Sequence, residues 1–562
     1  MQSDFTSRRG IVAPRVMTIA VAGALAAVLA GCAVGPDYKR PEAAIPASYK
    51  EAAEGWKVAQ PADQQDRGPW WTIYNDPQLN ALEDKLDASN QTIAQFAAAY
   101  RQARALTAEA RSAYFPVVTL NGSGERQQSP ARSGGFVTGT GSVGSSGQIT
   151  NSFRLSGDAS WEPDLWGQVS RTVAAQKAGQ QSAAADLANA RLSAQATLAQ
   201  TYFTLRSLDA QQKLLDDTVA SFERSLQLTQ NRYGQGVAAR ADVIQAQTQL
   251  QSAQAAAIDN GVARAQNEHA IAVLIGEPAS TFTLPQAPLD AVPPDVPPQM
   301  PSALLERRPD IASAERKAAA ANEQIGVAIS AYFPTLTITA TGGFESSVFS
   351  QLLTAPARFW TVGPQLAATL FDFGLRSAQT DAARAVYDQN VATYRQTVLT
   401  AFQDVEDNLA SQRILGREIV VQQQAVQSAQ QALDIVTNQY KSGTVDYLNV
   451  LTAQTTAFTT EQKLASIQGQ RMVSSVGLVK ALGGGWQVAQ MDRETGDVKA
   501  PAAPAPASGV AAQSGTQAGV AAATAREASR DTASAQPGKQ PNTLPVAQSQ
   551  KAAPPTSQIR ND

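Results

Sequence analysis

Cysteine and histidine supply much of the nucleophilic, redox and metal-binding chemistry of proteins, and this chain has one of each, Cys32 and His269. One cysteine excludes a structural disulfide within the chain, and one histidine excludes a site built from several imidazoles. A catalytic pair with His269 would need a convergent polar setting. His269 instead lies in an Ala/Gln-rich stretch that reads as helix, and a structural place on that helix is the expectation. No other grouping of residue types suits catalysis, so the chain is expected not to be an enzyme and to hold no metal. The formal net charge is -3 with no long basic run, which argues against nucleic acid as a partner.

Cys32 has a different chemistry open to it. It follows Leu29-Ala30-Gly31, at the end of an apolar run from Val16 to Ala30 that is preceded by Arg8, Arg9 and Arg15. The run is short for a membrane span and suits an export signal. Small residues before a lone cysteine resemble a bacterial lipobox, in which cleavage leaves that cysteine as an acylated first residue. Ala33 follows it where an aspartate would retain a lipoprotein at the inner membrane, so the outer membrane is the expected destination. Removing residues 1–31 takes away three arginines and Asp4, leaving a mature chain near -5. Each buried acyl CH2 contributes roughly 0.8 kcal/mol, so several chains anchor firmly. A covalent lipid on Cys32 is the one non-protein group expected. No later stretch approaches eighteen apolar residues, so the mature chain would meet a membrane through its lipid, through strands, or both.

The elements behind these residues are arranged as a repeat. Ser112-Ala113-Tyr114-Phe115-Pro116 recurs as Ser330-Ala331-Tyr332-Phe333-Pro334, an offset of 218. Asp164-Leu165-Trp166-Gly167 has a looser partner in Asp372-Phe373-Gly374. Asn231, Tyr233, Gly236 and Val243 recur as Asn438, Tyr440, Gly443 and Val450, an offset of 207. The change in offset falls between the first two landmarks, which makes that interval a variable excursion rather than a packed element.

The strongest strand patterns lie in that interval. Phe153, Leu155, Gly157, Ala159 and Trp161 alternate with Arg154, Ser156, Asp158, Ser160 and Glu162. In the second copy Leu336, Ile338 and Ala340 alternate with threonines, and Trp360, Val362, Leu366 and Leu370 form a fourth run in which Pro364 hints at a bulge. The first strand, Val118 to Ser123, is weaker, and residues 125–151 read as a Gly/Ser-rich mobile loop. Runs of about ten residues with one apolar and one polar face have the length of tilted transmembrane strands. A soluble hairpin half-buried on a core is the alternative. Four strands cannot close a barrel and open edges are not tolerated in lipid, so membrane-spanning strands here require several chains to share one barrel.

The remainder reads as long thin helices. Residues 168 to 231 span roughly 96 Å as a helix, and 239 to 274 with 309 to 331 stack to roughly 89 Å on the return. Their Ala/Gln-rich composition suits a hollow tube better than a stout core. A rod-like coiled coil is the alternative, and the embedded hairpins count against it.

At this point the residues resemble a known family. Cys32-Ala33-Val34-Gly35-Pro36-Asp37-Tyr38-Lys39-Arg40-Pro41, the segment Trp70-Trp71 through Asn75-Asp76-Pro77-Gln78-Leu79, and Leu305-Glu306-Arg307-Arg308-Pro309-Asp310-Ile311 are similar to the outer membrane factor lipoproteins, the TolC family in its NodT-type branch. The likeness runs from about residue 32 to residue 486. It implies a mixed β-barrel and α-helical barrel with two tandem structural repeats per chain. Three copies would form a twelve-stranded transmembrane barrel continued by a long periplasmic helical barrel. The expected divisions are a signal peptide (1–31), an anchor and extended segment (32–77), repeat 1 (78–275), a Pro-rich linker (276–301), repeat 2 (302–486) and a disordered Ala/Pro/Gln-rich tail (487–562). Within the repeats fall hairpins 113–162 and 331–371, long helices 168–231 and 375–438, and return helices 239–274 and 446–482.

The same resemblance implies function. The chain would be the outer-membrane channel of a tripartite efflux pump, passively conducting drugs or toxic solutes. Its partners would be a periplasmic membrane-fusion adaptor and a proton-driven inner-membrane transporter, with outer-membrane lipid around it. The helix-turn-helix tips that meet the adaptor match Arg232, Tyr233 and Gly236 in the first copy and Tyr440 and Gly443 in the second. Relatives carry an acidic and a basic residue after the second tip that narrow the closed pore. Threonines stand at both positions here, Thr452 and Thr455, which puts a salt-bridged gate in doubt and leaves Leu448 as an apolar constriction, with Asp446 as a charge nearby. Five methionines and one histidine argue against metal-ion export, so organic compounds lead. A general porin would share the strands without needing such long helices, and a periplasmic adaptor or coiled-coil protein would lack paired membrane strands.

Overall fold

The computed structural model describes residues 33–46, 48–51, 69–128, 149–289, 292–294 and 307–486. They all belong to one compact unit, Met1–Pro501. Cys32, the signal peptide, part of the Pro-rich linker and the tail 487–562 lie outside the described residues.

The chain runs through helices α1 (Pro77–Ser89) and α2 (Gln91–Ser112), strands β1 (Val117–Gln128) and β2 (Ile149–Trp161), then helices α3 (Gln168–Gly234) and α4 (Arg240–Leu274). The second copy follows as α5 (Pro309–Ser330), β3 (Thr335–Ser346), β4 (Arg358–Ala367), α6 (Leu375–Ser442) and α7 (Tyr447–Ala481). Both bounds of α2 and of β1 recur 218 residues later as those of α5 and β3, and both bounds of α4 recur 207 residues later as those of α7. The two offsets found in the sequence are therefore the offsets of whole elements.

Local chemistry starts four of the helices. Asp76 accepts hydrogen bonds from the Gln78 and Leu79 amides ahead of Pro77 at the first turn of α1, and Asn90 accepts from the Ile93 amide at the start of α2. The Asp164 and Asp372 landmarks do the same for the long helices. Asp164 accepts from the Val169 and Ser170 amides (3.0 and 2.7 Å), and Asp372 from the Gly374 and Arg376 amides (3.1 and 3.3 Å). Gly167 and Gly374 supply the left-handed turn before each helix, with φ of 83° and 92°. The 67 residues of α3 and the 68 of α6 each extend about 100 Å.

The strands form one antiparallel sheet in the order β1-β2-β3-β4. Two sequence expectations change here. Pro364 makes no bulge: the β3–β4 register runs through the pair Ile338 and Pro364 without a break, as an edge strand permits. The first hairpin reaches further into the expected loop, to the pair Gln128 and Ile149, because a ladder of backbone bonds continues through polar side chains. Residues 129–148 of that loop lie outside the described residues.

Helices pack beside one another in single file. Next to the sheet the order is α2, α3, α5, α6, and toward the tips it is α4, α3, α7, α6. At the waist between these layers sits the main core, where Trp70, Trp71 and Tyr74 pack on Leu79, Leu86, Leu198, Phe203 and Ile271. A buried ionic network lies beside it. Arg206 donates to Asp209 (2.9 Å), to Pro285 O (2.8 Å) and to Gln78, while Arg264 donates to Asp209 (2.7 Å) and Leu284 O (2.6 Å). Arg308 fastens the second copy similarly, reaching Asp310, Asp404 and Ala481 O. Burial opposes its charge, but the hydrogen bonds and charges of Asp310 and Asp404 more than offset this and raise its pKa.

The N-terminal segment is a strap along this body. The Val34 amide donates to Trp166 O, Arg171 holds Gly35 O, Pro36 O and Asp37, Tyr38 donates to Glu315, and the Lys50 and Glu51 amides donate to Glu406. Ala33, the residue after Cys32, packs against Gly167 at the junction of sheet and helix.

Candidate functional site

The two helical tips touch each other, and one arginine spans the joint. Arg232, in the last turn of α3, stacks its guanidinium 4.6 Å over the Tyr440 ring and donates to Tyr440 O (2.9 Å) and Lys441 O (3.3 Å). It thereby caps the C-terminus of α6, where cations are favoured by the exposed carbonyls. Gly236 and Gly443 take the left-handed turns after α3 and α6, at φ of 76° and 80°. Behind the turns Tyr440, Tyr447, Val450 and Leu451 bury against Ala246. The Tyr440 and Tyr447 rings lie 5.7 Å apart, and Ser225 donates to the Tyr447 hydroxyl at 3.3 Å. Burial pushes the Tyr447 phenol above its ordinary range.

Of the five tip residues named from sequence, Tyr233, Gly236 and Gly443 are exposed, whereas Tyr440 is only 4% exposed and Arg232 is engaged with its neighbour. Tyr440 thus supports the tip from inside and offers no side chain to a partner. The four residues named for a constriction fall into two groups. Leu448, Thr452 and Thr455 follow one another at helical spacing along one exposed face of α7, with Leu448 58% exposed. Asp446 is exposed at the start of α7, where its side chain makes no capping bond. Thr452 turns its hydroxyl back to Leu448 O at 2.9 Å, so the hydroxyl is already partly satisfied.

At the other end the sheet has two distinct faces. One row across the four strands is Val118, Ala159, Ala340 and Val362, and the next is Thr119, Asp158, Thr341 and Thr361. On the polar face Asp158 accepts from Thr341 (2.7 Å), Asn121 (2.8 Å) and Ser156 (3.0 Å). Arg154 lies over the Phe359 ring and 3.5 Å from Glu345. On the apolar face Val118, Leu120, Trp360, Val362 and Leu366 are exposed. Among the described residues no helix is long and apolar enough to cross a membrane.

This pairing of a two-faced sheet with very long helices has known counterparts. The family model for outer membrane efflux proteins matches residues 82–277 and 300–484, more than half of the chain. The chain belongs to the outer membrane efflux protein family. The two matched stretches of the efflux protein fall one on each copy of the repeat. It is 31% identical over 462 residues to the probable efflux pump outer membrane protein TtgC of Pseudomonas putida, covering 82% of this chain and 94% of that one. It is 30% identical over 448 residues to the pyoverdine export outer membrane protein OpmQ of Pseudomonas aeruginosa, covering 79% and 92%. Among solved structures the outer-membrane channel OprN superposes with a TM-score of 0.75 at 28% identity, covering 81% of this chain and all of that one. The efflux protein is thus an outer-membrane channel component of an export system.

Sequence reasoning had no view of several groups that the fold brings together. The Arg232 cap joins residues 208 apart, and the Asp209 network draws on α3, α4 and the Pro-rich segment. The family-like Arg307-Arg308-Pro309-Asp310 run was the available sign of the second network. Glu83 had no sign at all. It is 0% exposed within α1, and neither carboxylate oxygen has a hydrogen-bond partner. Burial, with Asp87 and Asp84 nearby, pushes its pKa up to about 9.

Proposed function

We propose that this efflux protein is a homotrimeric exit duct that conducts organic compounds passively from a periplasmic adaptor and an inner-membrane transporter to the outside. The observation that carries this reading is that, among the described residues, each layer of the chain has two open lateral edges. In the sheet these are β1 and β4, and in the helical layers they are α2 or α4 on one side and α6 on the other. An isolated sheet with free edges is not tolerated in lipid, so another chain has to complete it. Joining the β4 edge of one copy to the β1 edge of the next is a head-to-tail contact that closes into a ring. Three copies give twelve strands, with the Asp158 face lining a lumen and the Val362 face meeting lipid.

The helix edges favour the same closure. Ile244, Ile258 and Val262 are exposed on α4, and Ile414, Val421 and Ile435 are exposed on α6. Successive members lie 4, 7 or 14 residues apart, spacings that return to one helix face and suit an antiparallel seam between neighbouring copies. Facing inward near the axis, three copies of Leu448 would narrow the pore, with Thr452 and Thr455 adding neutral polar groups. The exposed Tyr233, Gly236 and Gly443 turns would meet the adaptor. An acyl group on Cys32 would enter the membrane beside Ala33, which lies at the sheet–helix junction.

The test is to purify the full chain from outer membranes, measure its mass in detergent, and assay drug export in cells lacking the native channel. A trimer that restores export fits. A monomer would overturn the reading, and drug export that persists in cells lacking the inner-membrane transporter would replace it with a porin.

A further inference from the structure

The two hairpins of the sheet end, on the side remote from the helices, in loops of different chemistry. Residues 129–148, between β1 and β2, are rich in serine and glycine. Residues 347–357, between β3 and β4, carry no charge and include Val348, Phe349, Leu352 and Leu353. This second loop is built from two single turns of tight helix, Phe349–Gln351 and Ala355–Ala357. Much of its backbone bonds to itself. The amides of Gln351, Leu352, Thr354 and Ala357 donate to the carbonyls of Val348, Phe349, Gln351 and Thr354 at 3.0–3.2 Å, and the Val348 amide donates to Ser346 Oγ at 3.1 Å. Its side chains do the opposite and stand outward, with Phe349 70% and Leu353 69% exposed.

The loop bends toward one face of the sheet. The Phe349 ring meets Phe153 edge-on, with centroids 5.4 Å apart. Counted in twos along the ladder, Phe153 shares its face with Leu155 and Ala159, and across the strands with Leu120, Trp360 and Val362. A Cβ on Gly124, its neighbour on that face, would stand 3.3 Å from the Phe153 ring. This is the apolar face. The other face carries Glu125, Arg154 and Glu345 at the same level, and a loop that covered the mouth of a lumen would have to turn to that side.

The charges on the apolar face are placed to match. Among the described strand residues they are Arg126 and Arg358, both exposed and both cationic, in the rows on either side of Phe153. Long cations beside aromatic rings suit the level at which acyl chains give way to anionic headgroup phosphates. We propose that residues 347–357 are a lipid-seated anchor, with Phe349 and Leu353 entering the outer leaflet beside the sheet and Arg126 and Arg358 at the level of the headgroup phosphates. An uncharged loop whose backbone is largely bonded to itself leaves little polar surface to desolvate, and its outward side chains favour the move. The Phe153–Phe349 contact aims the loop at lipid. The mouth of the channel is thereby fastened to the membrane on its outer side, opposite to the face that lines the lumen.

The inference rests on the apolar face meeting lipid, as proposed above, and its test separates the two. The full chain carrying Leu353→Cys, a change that leaves Phe349 on Phe153, is labelled with a nitroxide and placed in vesicles of phosphatidylethanolamine and phosphatidylglycerol. The parent chain, with Cys32, gives the background. Collision rates with oxygen and with a water-soluble nickel chelate then locate each label. Val362→Cys, on the apolar face, should collide mainly with oxygen, and Thr361→Cys, on the polar face, mainly with the chelate. We expect Leu353→Cys to follow Val362→Cys and to lie no shallower than a label at Arg358→Cys. Adding Phe153→Ala should shift the Leu353→Cys label severalfold toward the chelate. A Leu353→Cys label in water, or one indifferent to Phe153→Ala, with Val362→Cys in lipid, overturns this inference and leaves the duct intact. A Val362→Cys label in water overturns the orientation of the sheet as well.

Discussion

The waist and the tips of this channel are built from the same helices but held by different means. At the waist α1, α3 and α4 are joined by tryptophans, tyrosines and a buried ionic network in which Arg206 and Asp209 are nearly inaccessible. At the tips one guanidinium spans the gap between the two copies, over a small cluster around Tyr440 and Tyr447. A joint made of one cation, two carbonyls and a few hydroxyl and ring contacts is smaller than the waist and simpler to break than its buried charge network. A rearrangement that widens the proposed duct is therefore expected at the tips, with the waist as its fixed end.

The largest effect should come from the waist. Arg206→Ala strands Asp209 beside Arg264 and leaves Pro285 O and Gln78 without their donor, so it should cost about 3–5 kcal/mol. A lowered denaturant midpoint with loss of the oligomer would be the sign. A variant as stable as the parent would mean that the waist is no firmer than the tips.

Next comes the pH response of the same region. With its pKa pushed up to about 9, Glu83 is neutral in the folded chain and ionised in the unfolded one between its ordinary value and that figure. Its stabilising contribution is complete below the ordinary carboxylate range and is lost as pH rises through the folded value, at about 1.4 kcal/mol per pH unit. Glu83→Gln should flatten this dependence and be more stable than the parent at pH 8. Parallel stability curves for the two proteins from pH 5 to 9 would exclude a protonated Glu83.

The smallest energies and the clearest conductance changes belong to the tips. Arg232→Ala removes two charge-assisted hydrogen bonds and a cation–π contact, about 1–3 kcal/mol, and should raise resting conductance in planar bilayers with the oligomer unchanged. Leu448→Ala should raise it too, while Thr452→Ala and Thr455→Ala do little, and Thr452→Asp should add cation preference through a ring of carboxylates. A conductance that ignores Leu448→Ala yet rises when Asp446 is neutralised would make the closure electrostatic. That outcome would sharpen the contrast with the waist by giving the tips a charge of their own.

How much could be read in advance differed from residue to residue. The alternation through Phe153 to Trp161, the Tyr-Phe-Pro runs and the Asp164–Gly167 and Asp372–Gly374 landmarks marked strands and the repeat, because those signals are written in neighbouring residues. Tyr440 was expected to dock a partner because its tip resembles the family's, yet Tyr447, Thr229 and Arg232 cover it. Pro364 looked like a bulge because its strand was not known to be an edge. Glu83 carried no mark in the sequence, and only the packing around α1 buries it.

By itself the sequence determined the periodic content of this protein: two copies of helix, hairpin and long helix pair, each begun by its own caps and turns. Backbone hydrogen bonds and side-chain alternation are local, so a linear text can hold them. Tertiary structure alone decided which helix lies beside which, which edges stay open, and which charges are paired or stranded. Those depend on contacts between residues one or two hundred positions apart, such as Arg232 with Tyr440 and Trp166 with Phe333, whose free energy exists only once the chain has brought both partners to one place.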